Sequence, residues 1–134
     1  TMSIKRFGVS LDSEYLSELE YLVKRNKFPN RSQAIRFLIE KNMVETKWEC
    51  NNMVAGIIML VYDHHKSDIC ARLHEIQHQH RELILSVQHV HIDSKNCMES
   101  IMVKGQAYQL TELGDKLCSL RGIRHGKLTM TAAG

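Results

Sequence analysis

Apolar and polar residues alternate along "IKRFGVSL". Phe7, Val9 and Leu11 fall on one side and Arg6, Gly8 and Ser10 on the other, the period-two pattern of a half-buried strand. The period then changes. Leu16, Leu19, Leu22 and Val23 recur at three- and four-residue spacing, which predicts a helix capped by Asp12 or Ser13. Pro29 disfavours helical geometry at Phe28. "NRSQAIRFLIEKNMV" opens a second helix, with Asn30 as its cap, Gln33 placed to return a hydrogen bond, and a stripe of Ile35, Leu38, Ile39 and Met43. One strand and two short helices cannot satisfy the strand's edges or enclose a core alone. The physical solution is a dimer whose two copies pair their strands into an antiparallel ribbon flanked by four helices.

"TKWECNN" reads as a linker, which sets the expected domains at residues 2–47 and 48–134. An apolar strand follows over 53–62, then a helix over about 63–79 with Ile69, Leu73 and Ile76 in register. Strands over 83–92 and 97–104 flank the turn "DSKN", a helix covers 106–120, and a last strand covers 123–130. The order βαββαβ predicts an α+β, ferredoxin-like open sheet with its helices on one face.

Charge separates the same two halves. Residues 1–47 hold nine Lys/Arg against six Asp/Glu, residues 48–134 hold nine of each, and all eight histidines lie between 64 and 125. A small basic unit suited to an anion therefore precedes a neutral unit rich in borderline metal ligands. Cys50, Cys70, Cys97 and Cys118 form no CxxC pair, and no secretory signal opens the chain, so a reduced, cytoplasmic setting is expected. Thr1, ahead of Met2, reads as an expression remnant. The longest apolar run, 53–62, is about half of a membrane-spanning helix, so no membrane partner is expected. Neither a nucleophile motif nor a phosphate-cradling Gly-rich loop is present, which argues against an enzyme.

The candidate chemistry sits in "VQHVHIDSKNC". Strand parity puts His89 and His91 on one face, with Val87 and Leu85 in the same series. If the hairpin closes with His91 opposite Cys97, then Glu99 lies opposite His89. Two imidazoles and a thiolate then converge, with a carboxylate near enough to orient an imidazole. A one-residue slip would send Cys97 to the other face. Three ligands leave one position open, for which "LHEIQHQH" offers His74, His78 and His80. A facing subunit supplies such a ligand more easily than the same chain does. An HxH pair by itself also fits an exposed strand, a lone cysteine a packed interior position, and His125 in "GIRHG" a turn.

The N-terminal segment 4–45 resembles the ribbon-helix-helix fold of small DNA-binding proteins, with "NRSQAIR" as the entry to its second helix. The second half resembles the ACT regulatory domain. The chain as a whole, through "YDHH", "IQH", "HVHIDSKNC" and "LRGIRHGKL", resembles the nickel-responsive transcriptional regulators of the NikR family. The resemblance implies base reading by Arg6 and Ser10, with Gly8 in a slot where relatives usually carry a hydroxyl, and phosphate binding around Asn30, Arg31 and Ser32. It implies one Ni2+ per subunit in a planar site of His89, His91 and Cys97, completed across a subunit interface by His78 of another chain. Tyr62, His64, Gln77 and Glu99 match residues that surround that site. It also implies a homotetramer, a dimer of dimers, that binds double-stranded operator DNA and represses nickel uptake. Some relatives hold a second cation with acidic side chains where Gln33 and Phe37 stand here. The alternatives are a sensor of copper, zinc or cobalt, and a metal-binding oligomer with weakened operator recognition, which Gly8 would favour.

Overall fold

The computed structural model describes residues 3–132, the side chain of Ser67 apart, and divides into two units after Asn42. In the first unit α1 spans Ser13–Arg25, with Asp12 extended at its N-cap position, and α2 starts at Arg31. Asn30 caps α2, its Oδ1 accepting the Gln33 N–H at 2.9 Å. The expected strand is absent from the single chain. Residues 3–12 carry no ladder, and Phe7, Val9 and Leu11 are 77, 60 and 43% exposed. An isolated extended segment has no backbone partner to bond, so the period-two pattern stands there without a sheet. Its apolar side chains line a groove of about 720 Å³ together with Leu19, Leu22 and Leu38.

The second difference lies at the expected linker. α2 runs without interruption over Arg31–Glu49. Val44 and Trp48 in its last turns pack into the second unit's core, and Trp48 Nε1 donates to the Thr131 carbonyl at 3.0 Å. Asn51, in the left-handed region at φ 55°, ends the helix, and its Oδ1 accepts the Tyr108 N–H at 2.9 Å. What looked like spacer is a bolt between the helix end and the sheet domain.

The second unit has the expected element order: β1 Met53–Asp63, α3 Ser67–Gln79, β2 Ile84–His91, β3 Asn96–Gln106, α4 Ala107–Cys118 and β4 Ile123–Thr131. All pairings are antiparallel and the strand order is β2-β3-β1-β4. Alternation in β1 and β3 buries Val54, Ile58, Leu60, Tyr62, Cys97, Ile101 and Val103 against Ile69 and Leu73 of α3 and Leu110, Leu113 and Leu117 of α4. Each such aliphatic side chain contributes about 1.5–3 kcal/mol of burial. Gln106 and Gln109 close a reciprocal capping box at the start of α4. The opposite face leaves Met53, Ile57, Met59 and Met102 exposed.

α4 meets β4 at a close approach. A Cβ added to Gly126 would lie 2.6 Å from Cys118 Sγ and 3.2 Å from its Cα. Gly126→Ala is therefore expected to destabilise the domain by about 1–3 kcal/mol through forced displacement of α4. Urea unfolding measures it, and an unchanged midpoint would show that the helix can move away freely.

Candidate metal centre

The β2–β3 hairpin closes in the register that brings the chemistry together: His91 pairs with Cys97 and His89 with Glu99. The turn between them is tightly determined. Asp93 Oδ1 accepts the N–H groups of Lys95 and Asn96 at 2.8 and 2.7 Å, and these bonds hold its carboxyl below the usual carboxylate range. Arg124 of β4 donates to Asn96 Oδ1 at 2.8 Å, and the His64 N–H donates to the Lys95 carbonyl at 3.2 Å. The segment just after β1 is thereby tied to the turn, while Tyr62 in β1 lies opposite Cys97. One parity expectation fails: a bulge between Ile84 and Ser86 puts Ile84, not Leu85, in the series of Val87, His89 and His91.

Two clusters result. In the first, His64, His91 and Cys97 offer ligand atoms that all lie within 4.8 Å of one another. Cys97 Sγ is 3.3 Å from His91 Nδ1, and the His64 and His91 rings meet edge-on with centroids 4.8 Å apart. Burial, reinforced by Cys70 and the carboxylates of Glu99, Asp63 and Asp93, pushes the Cys97 thiol up. His64 keeps a buried Nδ1 with no hydrogen-bond partner, a deficit worth about 1–3 kcal/mol.

The second cluster surrounds His89. Tyr62 O–H donates to Glu99 Oε1 at 3.2 Å, Gln77 Nε2–H of α3 donates to Glu99 Oε2 at 2.5 Å, and His89 Nδ1 lies 3.2 Å from the Tyr62 oxygen and 3.3 Å from Glu99 Oε1. A carboxylate only accepts, and the single Tyr62 proton is committed to Glu99, so His89 Nδ1 must be the donor. Burial first, and the Glu99 charge second, keep the Tyr62 phenol protonated by raising its pKa far above the ordinary value. His89 is thus fixed in the tautomer that leaves Nε2 as the lone-pair nitrogen. Carboxylate-to-imidazole hydrogen bonds of this kind orient metal-bound histidines.

Two imidazoles, a thiol and an unsatisfied buried histidine nitrogen suit a borderline divalent cation. Residues 55–131, which contain both clusters, match a family model described as the NikR C terminal nickel binding domain. The chain belongs to the NikR family. Its similarity to full-length relatives is equally extensive. It is 46% identical over 132 residues to a candidate nickel-responsive regulator of Desulfovibrio desulfuricans, covering 98% of this chain and 96% of that one. Counterparts from Nitratidesulfovibrio vulgaris and Geobacter sulfurreducens are 45 and 42% identical over 130 residues, each covering 96% of this chain and 94% of its own length. NikR proteins are nickel-sensing regulators and not enzymes, and this chain is one of them.

Within this NikR chain the site residues read from sequence divide. Tyr62, His64, Gln77, His89, His91, Cys97 and Glu99 meet at one end of the sheet. His78 does not: it stands exposed in the last turn of α3, as does His74 one turn earlier. His80, just after α3, keeps a buried Nε2 without a partner. His125 lies in β4, paired with Val61, rather than in a turn. In the first unit Arg6, Gly8, Ser10 and Ser32 are exposed, and Arg31 pairs with Glu20. Phe37 packs against Phe28 with ring centroids 5.4 Å apart. The nearest surprise is His64, expected around the site and found within its tightest group. Strand parity does not reach it, since β1 ends at Asp63 and His64 stands in the turn that follows.

Proposed function

We propose that this NikR regulator couples nickel binding to operator recognition. His89, His91 and Cys97 of one chain would hold the ion together with His78 of a second copy, one Ni2+ per subunit, shared across an interface. The observation that carries this reading is the placement of His89: Nδ1 lies 3.2 Å from the Tyr62 oxygen and 3.3 Å from Glu99 Oε1, which leaves Nε2 as the free nitrogen of a side chain that is 41% exposed. A ligand nitrogen fixed at a surface is suited to an ion that a neighbouring chain completes. His78, also exposed, supplies that neighbour's part. Nickel favours planar N/S sites, which a set of three imidazoles and one thiolate can furnish.

The assembly is a homotetramer, a dimer of dimers, in which second units form the core and first units pair. The exposed Met53, Ile57, Met59 and Met102 face supports the first contact, and the groove lined by Phe7, Val9 and Leu11 the second. In the paired state Arg6 and Ser10, flanking Gly8, read bases in the major groove, while the α2 start at Asn30, Arg31 and Ser32 meets a phosphate. Repression of nickel uptake in the cytoplasm is the output. Among the described residues no helix is long and apolar enough to cross a membrane. Linkage makes operator DNA tighten nickel binding by the factor with which nickel tightens DNA binding.

The test is retardation of a palindromic operator fragment with and without nickel at one stated salt concentration. Nickel-dependent retardation supports the reading, and equally weak retardation in both states defeats it in favour of a metal-binding oligomer. Retardation by copper or zinc alone reassigns the effector. Glu99→Gln, which weakens the acceptor that orients His89, is expected to lower nickel affinity by about 10–100-fold. An unchanged affinity by competition with a chelator would remove Glu99 from the site's support.

A further inference from the structure

An anion already stands at the start of α2, and the chain itself supplies it. We infer that Glu20 is an internal stand-in for the operator phosphate: its carboxylate holds Arg31 until DNA displaces it. The inference rests on the reading that Arg31 meets a phosphate.

The pair is built by the turn between the two helices. Glu20 lies in α1, and Arg31, eleven positions on, is the first residue of α2. α1 stops at Asn26, whose N–H donates to the Leu22 carbonyl at 3.1 Å, and the Phe28 N–H donates to the Val23 carbonyl at 3.0 Å. Lys27 between them takes the left-handed region at φ 55°, which turns the chain sharply. Asn30 then caps α2. Arg31 Nε donates to Glu20 Oε1 at 2.6 Å, and Arg31 Nη2 reaches the same oxygen. The guanidinium edge so occupied is one that could grip a phosphate through two parallel bonds.

The choice of partner is informative. The first turn of α2 contains no acidic residue, so nothing on that helix complements the positive end of its dipole. Glu20 provides the complement from α1, as a bound phosphate would. Both side chains are exposed, so neither is there to fill a core. An exposed pair of this kind shifts an equilibrium by no more than about fivefold. A ribbon dimer would carry two such pairs, which multiply to roughly 25-fold at most. The penalty falls on every DNA sequence alike, because phosphates carry no sequence information. Its use is a threshold: phosphate contacts alone hold the protein more weakly, while base contacts still carry it onto its operator. Both residues lie in the first unit, so the stand-in acts with or without nickel.

The experiment titrates the full-length protein, nickel-loaded and metal-free, against cognate and scrambled palindromic fragments at two salt concentrations. The proteins are the parent, Glu20→Gln, Arg31→Ala and the double variant, with folding confirmed by far-UV circular dichroism. Glu20→Gln is expected to tighten binding to both fragments by about 3–25-fold at the lower salt, in both metal states. Most of that gain should disappear at the higher salt. In the Arg31→Ala background the same substitution should change nothing. If Glu20→Gln leaves binding unchanged or weaker while Arg31→Ala weakens it, the stand-in is overturned and Arg31 remains a phosphate contact. An equal gain from Glu20→Gln with Arg31 absent also overturns it, since the effect is then one of overall charge. If Arg31→Ala leaves DNA binding unchanged, the phosphate reading of Arg31 fails, and the stand-in fails with it.

Discussion

Replacing Cys97 with alanine is expected to abolish the nickel–thiolate absorption band and to weaken nickel binding by more than about 100-fold, beyond the cost of losing an orienting partner. Cys97 is the one sulfur in the group it forms with His64 and His91, and the proposed nickel set contains it too. Its thiol is held up by burial, so in the metal-free protein it is protonated at neutral pH, and binding must release that proton. Nickel affinity should then rise about tenfold per pH unit below the thiol's pKa, and Cys97→Ala should remove one proton from that dependence. The metal-free protein has the opposite sign. A thiol whose folded-state pKa is raised contributes stability that is fully present below its unfolded pKa and is lost as pH rises from the usual thiol range through the raised folded-state value. Urea midpoints of the metal-free parent should therefore fall on the alkaline side, and those of Cys97→Ala should fall less, because Cys118, whose thiol burial also raises, keeps its share of the loss. A band that survives the substitution, or a pH dependence that ignores it, would take Cys97 out of the ligand set.

How much of this was legible depended on whether the information was local. The hairpin was legible because strand parity is strict and "DSKN" leaves few ways to close. Parity and the turn left the register conditional, and the one placing His91 opposite Cys97 is the register found. The βαββαβ order was legible from periodicity, and its sheet order adds what pattern alone does not give. Two features were not local. Val44 and Trp48 fall on a different stripe from Ile35, Leu38 and Ile39, so the end of α2 looked like a polar linker until its tertiary partner, the Thr131 carbonyl, was present. The period-two pattern over residues 4–11 lies inside the chain, but in the single chain those residues carry no ladder. His64 was placed around the site only by the family resemblance, because it lies past the end of β1, in a turn tied to the hairpin by the hydrogen bond from its own N–H to the Lys95 carbonyl.

Arg6→Ala is expected to reduce operator affinity by more than about 30-fold at fixed salt, without changing nickel affinity in the absence of DNA. Two chains pair in the proposed ribbon, so each dimer presents two copies of Arg6, and a bidentate arginine–guanine contact is worth about 1–3 kcal/mol. Two such contacts sum to roughly 2–6 kcal/mol, and the lower end alone gives that factor. Arg6 is exposed on a segment whose Phe7, Val9 and Leu11 face a groove, so its removal takes away no core contact. Gly8 sharpens the expectation, because a glycine between Arg6 and Ser10 reads no base and leaves Arg6 a larger share of the discrimination. Arg31→Ala should behave differently. Its guanidinium already pairs with Glu20, so freeing it for a phosphate costs that pair, and its loss should weaken all sequences alike and flatten the salt dependence. Titrations of cognate and scrambled fragments with the nickel-loaded protein at two salt concentrations separate the two roles. If Arg6→Ala keeps both affinity and preference for the cognate fragment, the ribbon face is not the reading surface, and the regulator must recognise its operator elsewhere.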